Sequence, residues 1–330
     1  MKEAPFQRIY VEISNICNLQ CSFCPPVERH QQVMSLTDLQ RILPQLQGLT
    51  HEICLHLMGE PLGHPHLSQV IEAVAATGLR IQLTTNGVLL SSQRQELCLH
   101  PSIRQVNISI HSFEANFGSR DVGPYLRKVF AFTRRALETR PDLYINYRLW
   151  DLHEPRSLNT TNAAIRTAIE NEFMFSFADL NIDIRRQKGY PICGRLYVHF
   201  DSRFVWPSLQ QEMRSQIGTC HALRSHIGIH ADGTVVPCCL DKEAVINLGN
   251  CLETPLQNLL NGPRAQAMRR GFANGHLVEN LCQRCNFVAR FDRKAHSLTN
   301  NSRRLHIDES VNESAIAFGD HSNAPIELER

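Results

Sequence analysis

The run Arg8-Ile-Tyr-Val-Glu-Ile13, followed at once by Cys17-Asn-Leu-Gln-Cys21-Ser-Phe-Cys24, decides how this chain is read. The first stretch is apolar and β-branched, the character of a buried strand. The second sets three cysteines in the spacing Cys-x-x-x-Cys-x-x-Cys on the loop that would leave that strand. Three thiolates on one short loop can hold three irons of a [4Fe–4S] cluster, and the missing fourth ligand leaves one iron open to a further molecule. A zinc knuckle is the competing reading. Structural zinc wants four ligands, usually from two paired Cys-x-x-Cys hooks, and no fourth cysteine is near in sequence; His30 is the nearest substitute.

Outward from this loop, strand-like runs recur at 52–57, 80–84, 105–110, 143–149 and 180–184, with 8–13 the first. Helix-period segments alternate with them: Leu36 to Leu46, opened by a cap at Ser35, then Leu67 to Ala76, Leu89 to Leu97, Val122 to Leu137 and Ala163 to Phe173. Six βα units in series predict an α/β fold with a parallel sheet and outer helices. Barrels of this kind place their sites where strands end. The loops there hold the cysteines, then Met58-Gly59-Glu60-Pro61, then Thr84-Thr85-Asn86-Gly87, and the fourth strand ends through Ser109 to His111.

The cysteine spacing, with Phe23 before the third cysteine, resembles the radical S-adenosylmethionine (SAM) superfamily. That resemblance implies a partial (β/α)6 TIM-like barrel. It also implies SAM chelated to the open iron through its amino and carboxylate groups, and a 5′-deoxyadenosyl radical that abstracts hydrogen from substrate. Met58-Gly59-Glu60-Pro61 is similar to the family's Gly-Gly-Glu-Pro motif, with Met in place of the first glycine. The implied role is to receive the SAM ammonium at strand-end carbonyls and Glu60. Ser109 stands where the family carries a SAM-contacting serine, although His111 replaces the usual aspartate. Arg120 falls at a distance similar to that of the family's arginine near the SAM carboxylate or ribose. Arg148 and Asn86 are further cofactor-binding candidates.

After residue 190 the alternation stops and cysteines return at 193, 220, 238, 239, 251, 282 and 285. A hairpin is expected from Ile227 to Cys238 with Asp232-Gly233 at its corner. A Leu248-Gly-Asn250 turn, a short helix ending near Leu260 and Cys282-Gln-Arg-Cys285 follow. This order resembles the SPASM or shorter twitch extension of the same superfamily. The resemblance implies one auxiliary [4Fe–4S] cluster on Cys220, Cys238, Cys282 and Cys285, since no cysteine follows Cys285. Cys239 or Cys251 remains an alternative for one ligand, and a four-cysteine zinc ribbon an alternative for the set. Four protein thiolates would leave no iron open, which suits electron transfer. An oxidative reaction also needs a base, with Asp241, His230 and His111 as candidates.

The expected organisation is a barrel over 1–190, a cluster module over 191–295 and a polar, flexible tail over 296–330. With 34 basic and 32 acidic residues, the charge balance gives no support to a nucleic-acid partner. The first residues lack the apolar run of a signal peptide, so a cytoplasmic, reducing setting is expected for the twelve cysteines. No stretch approaches the roughly 20 apolar residues that span a bilayer. The reading is therefore an oxidoreductase of the radical SAM type, reduced by a flavodoxin or ferredoxin. It acts on a small molecule or a peptide. Strand one begins almost at the N-terminus, without the leader-gripping domain of many peptide-modifying relatives, which tilts the expectation toward a small molecule. An iron–sulfur electron carrier without SAM chemistry is the reading from another class, and a peptide maturase the alternative within this one.

Overall fold

In this computed structural model, residues 4–152, 162–202, 205–288 and 290 are described; the expected tail and Ala289 lie outside them, and at 151 and 152 only the backbone is described. The strands are β1 (Arg8–Val11), β2 (Glu52–Cys54), β3 (Arg80–Thr85), β4 (Ile103–Ile108), β5 (Tyr144–Leu152), β6 (Gly189–Cys193), β7 (Leu196–Ser202), β8 (His226–Ile229) and β9 (Val235–Val236). They form one sheet in the order β6-β7-β5-β4-β3-β2-β1-β8-β9. Every pairing from β7 through β5, β4, β3, β2 and β1 to β8 is parallel, and an antiparallel strand closes each end. The barrel is thus six βα strands, β1 to β5 and β7, with the first strand of the C-terminal module laid beside β1.

Five of the expected strands lie where the apolar runs put them. The sixth does not. Residues 180–184 form no strand: the Asp183 carboxylate accepts from Arg185 N–H, and Asp183 N–H donates to the Tyr190 hydroxyl at 2.8 Å, so the backbone turns there. The sixth parallel strand is β7, reached through a hairpin in which Gly194 takes φ +50° between β6 and β7.

Helices α1 (Leu36–Leu46), α2 (Leu67–Ala75), α3 (Ser92–Cys98), α4 (Ser112–Phe117), α5 (Gly123–Thr139) and α6 (Ala163–Phe173) connect the barrel strands. Ser35 caps α1 by accepting from Asp38 N–H at 3.0 Å, and the helix buries Leu39, Ile42, Leu43 and Leu46 on one face. These helices cover an outer sheet face of Ile53, Ile81, Leu83, Val106, Ile108 and Ile145, all at most 1% exposed. The inner face is polar. Asn107 Nδ2 donates to Thr84 Oγ1, while its Oδ1 accepts from Gln105 and Asn146. Aliphatic layers fill a closed eight-stranded barrel; this one is lined with groups that suit a polar guest.

The C-terminal module contains the expected hairpin, β8 against β9, with Gly233 at φ +86°. Its helices are α7 (Leu256–Leu260), α8 (Pro263–Ala273) and α9 (Asn280–Arg284), the last carrying Cys282.

Candidate iron–sulfur and SAM site

The cysteine loop is an excursion tied at its neck. Ser14 and Val33 form a bridge, Asn15 Nδ2 donates to His30 O at 2.8 Å, and Asn15 Oδ1 accepts from Gln32 N–H at 2.8 Å. Within the loop Cys17 and Cys24 are exposed and Cys21 is half-buried. Cys24 N–H donates to Cys21 O at 2.9 Å, so the last two thiols share one turn. Burial pushes all three thiols up, Cys24 to about 11, and the three also repel one another in the thiolate form. Iron would therefore displace protons on binding. Donors already aim at the sulfurs: Asn116 Nδ2 at Cys21 Sγ (3.0 Å) and Asn86 Nδ2 at Cys17 Sγ (3.9 Å). Three thiols on one loop, two exposed and one half-buried, with amide donors aimed at two of them fit a cluster ligand set. Asn116, on α4 and in no motif, was invisible to spacing arguments.

The Met58-Gly59-Glu60-Pro61 turn is pressed against the loop's first residues. Gly59 takes φ +77°, and a Cβ on it would sit 2.2 Å from Ser14 O. Glu60 N–H donates to Ile16 O at 2.9 Å. The Glu60 carboxylate differs from expectation. It is 2% exposed and accepts from Leu62 N–H (3.0 Å) and Asn86 N–H (2.7 Å), so it joins two loops of the mouth and its oxygens are engaged by the protein. Ammonium acceptance would fall to backbone carbonyls. Pro61 opens the short 3₁₀ turn that follows.

Beneath the turn lies a charge pair that sequence did not reveal. Glu12, 0% exposed, pairs with Arg29 at 3.0 Å through both oxygens, and accepts from Met58 N–H (3.1 Å) and Ala231 N–H (3.3 Å). Burial pushes its carboxyl up, against the pull of Arg29 and those amides. The C-terminal module holds the same loop from its other side: Glu243 accepts from Glu28 and Arg29 N–H, and Lys242 Nζ donates to Pro26 O at 2.9 Å.

At the mouth, Phe23, Cys24, Ser109, His111, Trp150, Ser202 and Trp206 line one cleft. The structure therefore brings Ser109 and His111 beside the first cysteine set. His111 lies between Phe23 (ring centroids 4.9 Å apart) and Trp150 (6.3 Å). Its Nδ1 faces Arg148 O at 2.8 Å; a carbonyl only accepts, so Nδ1 carries the proton. Arg120 is exposed beside the Phe117 ring at the end of α4. Arg148 points into the barrel, its guanidinium 4.6 Å from the Trp150 ring centroid.

The second cysteine set converges. Cys238, Cys220 and Cys282 all feel neighbouring thiolates, Cys282 those of Cys220 and Cys285, Cys238 those of Cys239, Cys220 and Cys282, and Cys220 those of Cys285 and Cys239; burial first, then this repulsion, pushes each thiol up, Cys220 to about 11. Of the two alternatives, one separates from it. Cys251 is buried, donates to Gly233 O at 3.2 Å and lies near Asp232 and Arg41. Cys239 does not separate: its charge acts on both Cys238 and Cys220, and it packs in one cluster with Tyr10. Asp241, 1% exposed, accepts from Val245 and Ile246 N–H at 2.9 and 2.8 Å and so holds a turn. His230, 0% exposed, donates from Nε2 to Asp241 O at 3.0 Å; burial depresses it to about 4, so it is neutral and sealed. Cys54 and Cys98 are buried, and His64 is buried with Nδ1 accepting from His66 N–H. Among the described residues no helix is long and apolar enough to cross a membrane.

The model of the radical SAM superfamily matches residues 11–147, and that of SPASM, an iron–sulfur cluster-binding domain, matches 220–286. GTP 3',8-cyclase of Alkaliphilus oremlandii is 31% identical over 109 residues, 31% of this chain and 34% of that one. The same enzyme of Geobacter sulfurreducens is 33% identical over 113 residues, 32% and 34% of the two chains. The chain thus spans about a third of the length of these curated relatives. Among solved structures, BtrN in complex with AdoMet and 2-DOIA aligns with TM-score 0.56 at 16% identity, over 87% of this chain and 94% of that one. Streptococcus suis SuiB bound to its precursor peptide SuiA aligns with TM-score 0.56 at 15%, over 86% and 73%. At these identities the likeness is one of fold.

Proposed function

We propose that this chain, which belongs to the radical SAM superfamily and carries a C-terminal SPASM-type iron–sulfur domain, is an oxidoreductase acting on a small-molecule or peptide substrate held in the barrel mouth. Its cofactors are SAM, the [4Fe–4S] cluster that binds it, and auxiliary iron–sulfur. Cys17, Cys21 and Cys24 would hold the first cluster, and Cys220, Cys238, Cys282 and Cys285 a single auxiliary [4Fe–4S] cluster. When bound, these groups supply a 5′-deoxyadenosyl radical that removes hydrogen from substrate and an acceptor for the electron the substrate then loses. The sixth barrel strand, β7, lies beyond the expected boundary at 190, so the modules we assign are a barrel that extends through β7 and a cluster module after it, in a cytoplasmic protein reduced by a flavodoxin or ferredoxin.

The chain's own groups do the rest. Asn86 and Asn116 donate toward the first thiols and steady their negative charge. Gly59 and Glu60 fix the turn whose carbonyls face an ammonium. Ser109 lines the cleft beside Cys24 and offers a hydroxyl to SAM. Of the three base candidates His111 is best placed: it lines the cleft together with Cys24, and its Nδ1 proton is directed to Arg148 O. Asp241 and His230 serve the fold of the hairpin instead.

The observation that supports this reading is a pair of thiol groups, Cys17, Cys21 and Cys24 on one loop with Cys24 lining the mouth cleft, and Cys220, Cys238, Cys282 and Cys285 acting on one another, with Cys239 beside them, in the C-terminal module. Anaerobically reconstituted protein given dithionite and SAM should release 5′-deoxyadenosine and methionine. The triple Cys17/Cys21/Cys24→Ala variant should release neither, and Cys282→Ala/Cys285→Ala should still release both. Wild type that binds iron at both sets yet leaves SAM intact would favour the electron-carrier reading. The curated relatives share about a third of their length with this chain, so their substrate is not carried over.

A further inference from the structure

The barrel interior holds a cation that no described residue neutralises. Arg148 stands on β5 with its guanidinium turned inward, against the Trp150 ring at 4.6 Å. Around it lie Tyr10 and Arg8 of β1, Cys54 and His56 of β2, His199 of β7, and Cys239. Among the described residues no carboxylate pairs with it and no side chain accepts its hydrogen bonds. The acids on neighbouring strands pair elsewhere: Glu52 through Oε2 with Arg104 at 2.9 Å, and Asp201, two residues beyond His199, with Lys188 at 2.6 Å. The histidines around it supply no negative charge, an imidazole being neutral or cationic, and burial keeps His56 and His199 neutral, at about 3 and about 4. Burial lowers the guanidinium only to about 10, so it stays charged at neutral pH.

Arg148 is half-buried, and a cation partly withdrawn from water without a partner is retained where something else supplies the counter-charge. SAM carries a carboxylate, but its place is beside the first cysteines. Those thiols feel Glu60, Lys242 and one another, whereas Arg148 is felt by Tyr10, Cys54, His56, Cys239 and His199, deeper in the barrel. We propose that Arg148 is the receptor for an anionic group of the substrate, a carboxylate or a phosphate. Its planar fork suits both oxyanions. Trp150 holds the fork in place and is itself fixed by its indole N–H donating to His199 Nδ1 at 3.0 Å. The Tyr10 hydroxyl and the His56 ring stand within the same lining to receive the remaining polar edge of such a molecule. This inference rests on the barrel mouth being the substrate site, and it narrows the substrate to an acid or a phosphate ester.

The test reads the one indole that touches the receptor. The chain has two tryptophans, Trp150 and Trp206; in a Trp206→Phe background only Trp150 reports. Reconstituted protein, with and without SAM, is titrated separately with inorganic phosphate and with acetate while indole emission is followed, and SAM affinity is measured by equilibrium dialysis. The expected result is a saturable change with at least one anion that persists with SAM bound. Arg148→Gln should weaken it by about tenfold or more and Arg148→Lys by less, with SAM affinity and iron content unchanged. The inference is overturned if neither anion changes the emission, or if Arg148→Gln responds as wild type does. It is also overturned if SAM abolishes the response while Arg148→Gln loses SAM affinity, because the guanidinium would then serve the cofactor. Failure of the radical SAM reading looks different: no SAM binding in wild type, with the anion response intact.

Discussion

Replacing Glu12 with Gln removes one charge from a place that water does not reach, and the structure sets the size of the penalty. Glu12 is 0% exposed and Arg29 14%, with both carboxylate oxygens 3.0 Å from one guanidinium nitrogen. Breaking a buried pair by removing one partner costs about 3–5 kcal/mol, because the other charge is left without compensation. The slight exposure of Arg29 moves the figure toward about 3 kcal/mol. The new amide adds to it, since its NH₂ group must face either Met58 N–H or Ala231 N–H, both donors. Urea unfolding of the iron-free protein, followed by circular dichroism, should show a lower midpoint with little change in slope. Arg29→Gln should cost a similar amount, and the double variant distinctly less than the sum, a coupling of about 2 kcal/mol. Stability within about 0.5 kcal/mol of wild type for Glu12→Gln, or strict additivity, would refute the reasoning. The same variant should lose iron first from Cys17, Cys21 and Cys24, because Arg29 anchors that loop.

Three further outcomes are expected. Gly59→Ala places a Cβ 2.2 Å from Ser14 O at φ +77°, which should cost about 3 kcal/mol or more in chemical denaturation; a loss under about 1 kcal/mol would mean the turn yields. Asn116→Ala removes the 3.0 Å donor to Cys21 Sγ; it should leave stability within about 1 kcal/mol and shift the first cluster's midpoint potential in the negative direction, and an unchanged potential in redox titration would exclude that role. Acidification should destabilise the fold through His56, depressed to about 3, and His199, His226 and His230, each depressed to about 4. A depressed histidine binds its proton more weakly folded than unfolded, so its contribution is complete above about pH 6.5 and is lost as pH falls toward the folded value. For sealed His230 this amounts to about 3 kcal/mol by pH 4, and melting temperatures that stay flat between pH 6.5 and 4.5 would contradict it.

What sequence could reveal was whatever lies in consecutive residues. The cysteine loop, the Gly59-Glu60 turn and five strands are written as local spacing, and each appears in the structure where it was read. The sixth strand was misplaced because Leu180, Ile182 and Ile184 alternate as a strand does, while Pro191 and Gly194 break up the hairpin that contains the real one. Glu12 shows the other limit. Its partners Arg29, Met58 and Ala231 are 17, 46 and 219 residues away, and no periodicity marks an acid on an apolar strand as their common acceptor. Glu60 was found by its motif, yet its carboxylate serves the Asn86 loop, a contact that only folding brings about. For Arg148, sequence offered a cofactor-binding candidate on the fifth strand; only packing shows that nothing among the described residues neutralises it.

The central claim is that one chain holds two clusters, three thiolates in the first loop and four in the C-terminal module. Counting iron and zinc per chain after anaerobic reconstitution, in wild type and in the Cys17/Cys21/Cys24→Ala variant, tests it most directly. About eight irons in wild type and about four in the variant are predicted, since each cubane contributes four. A variant that holds no iron, or a single zinc, would contradict the auxiliary cluster and the oxidative reaction built on it.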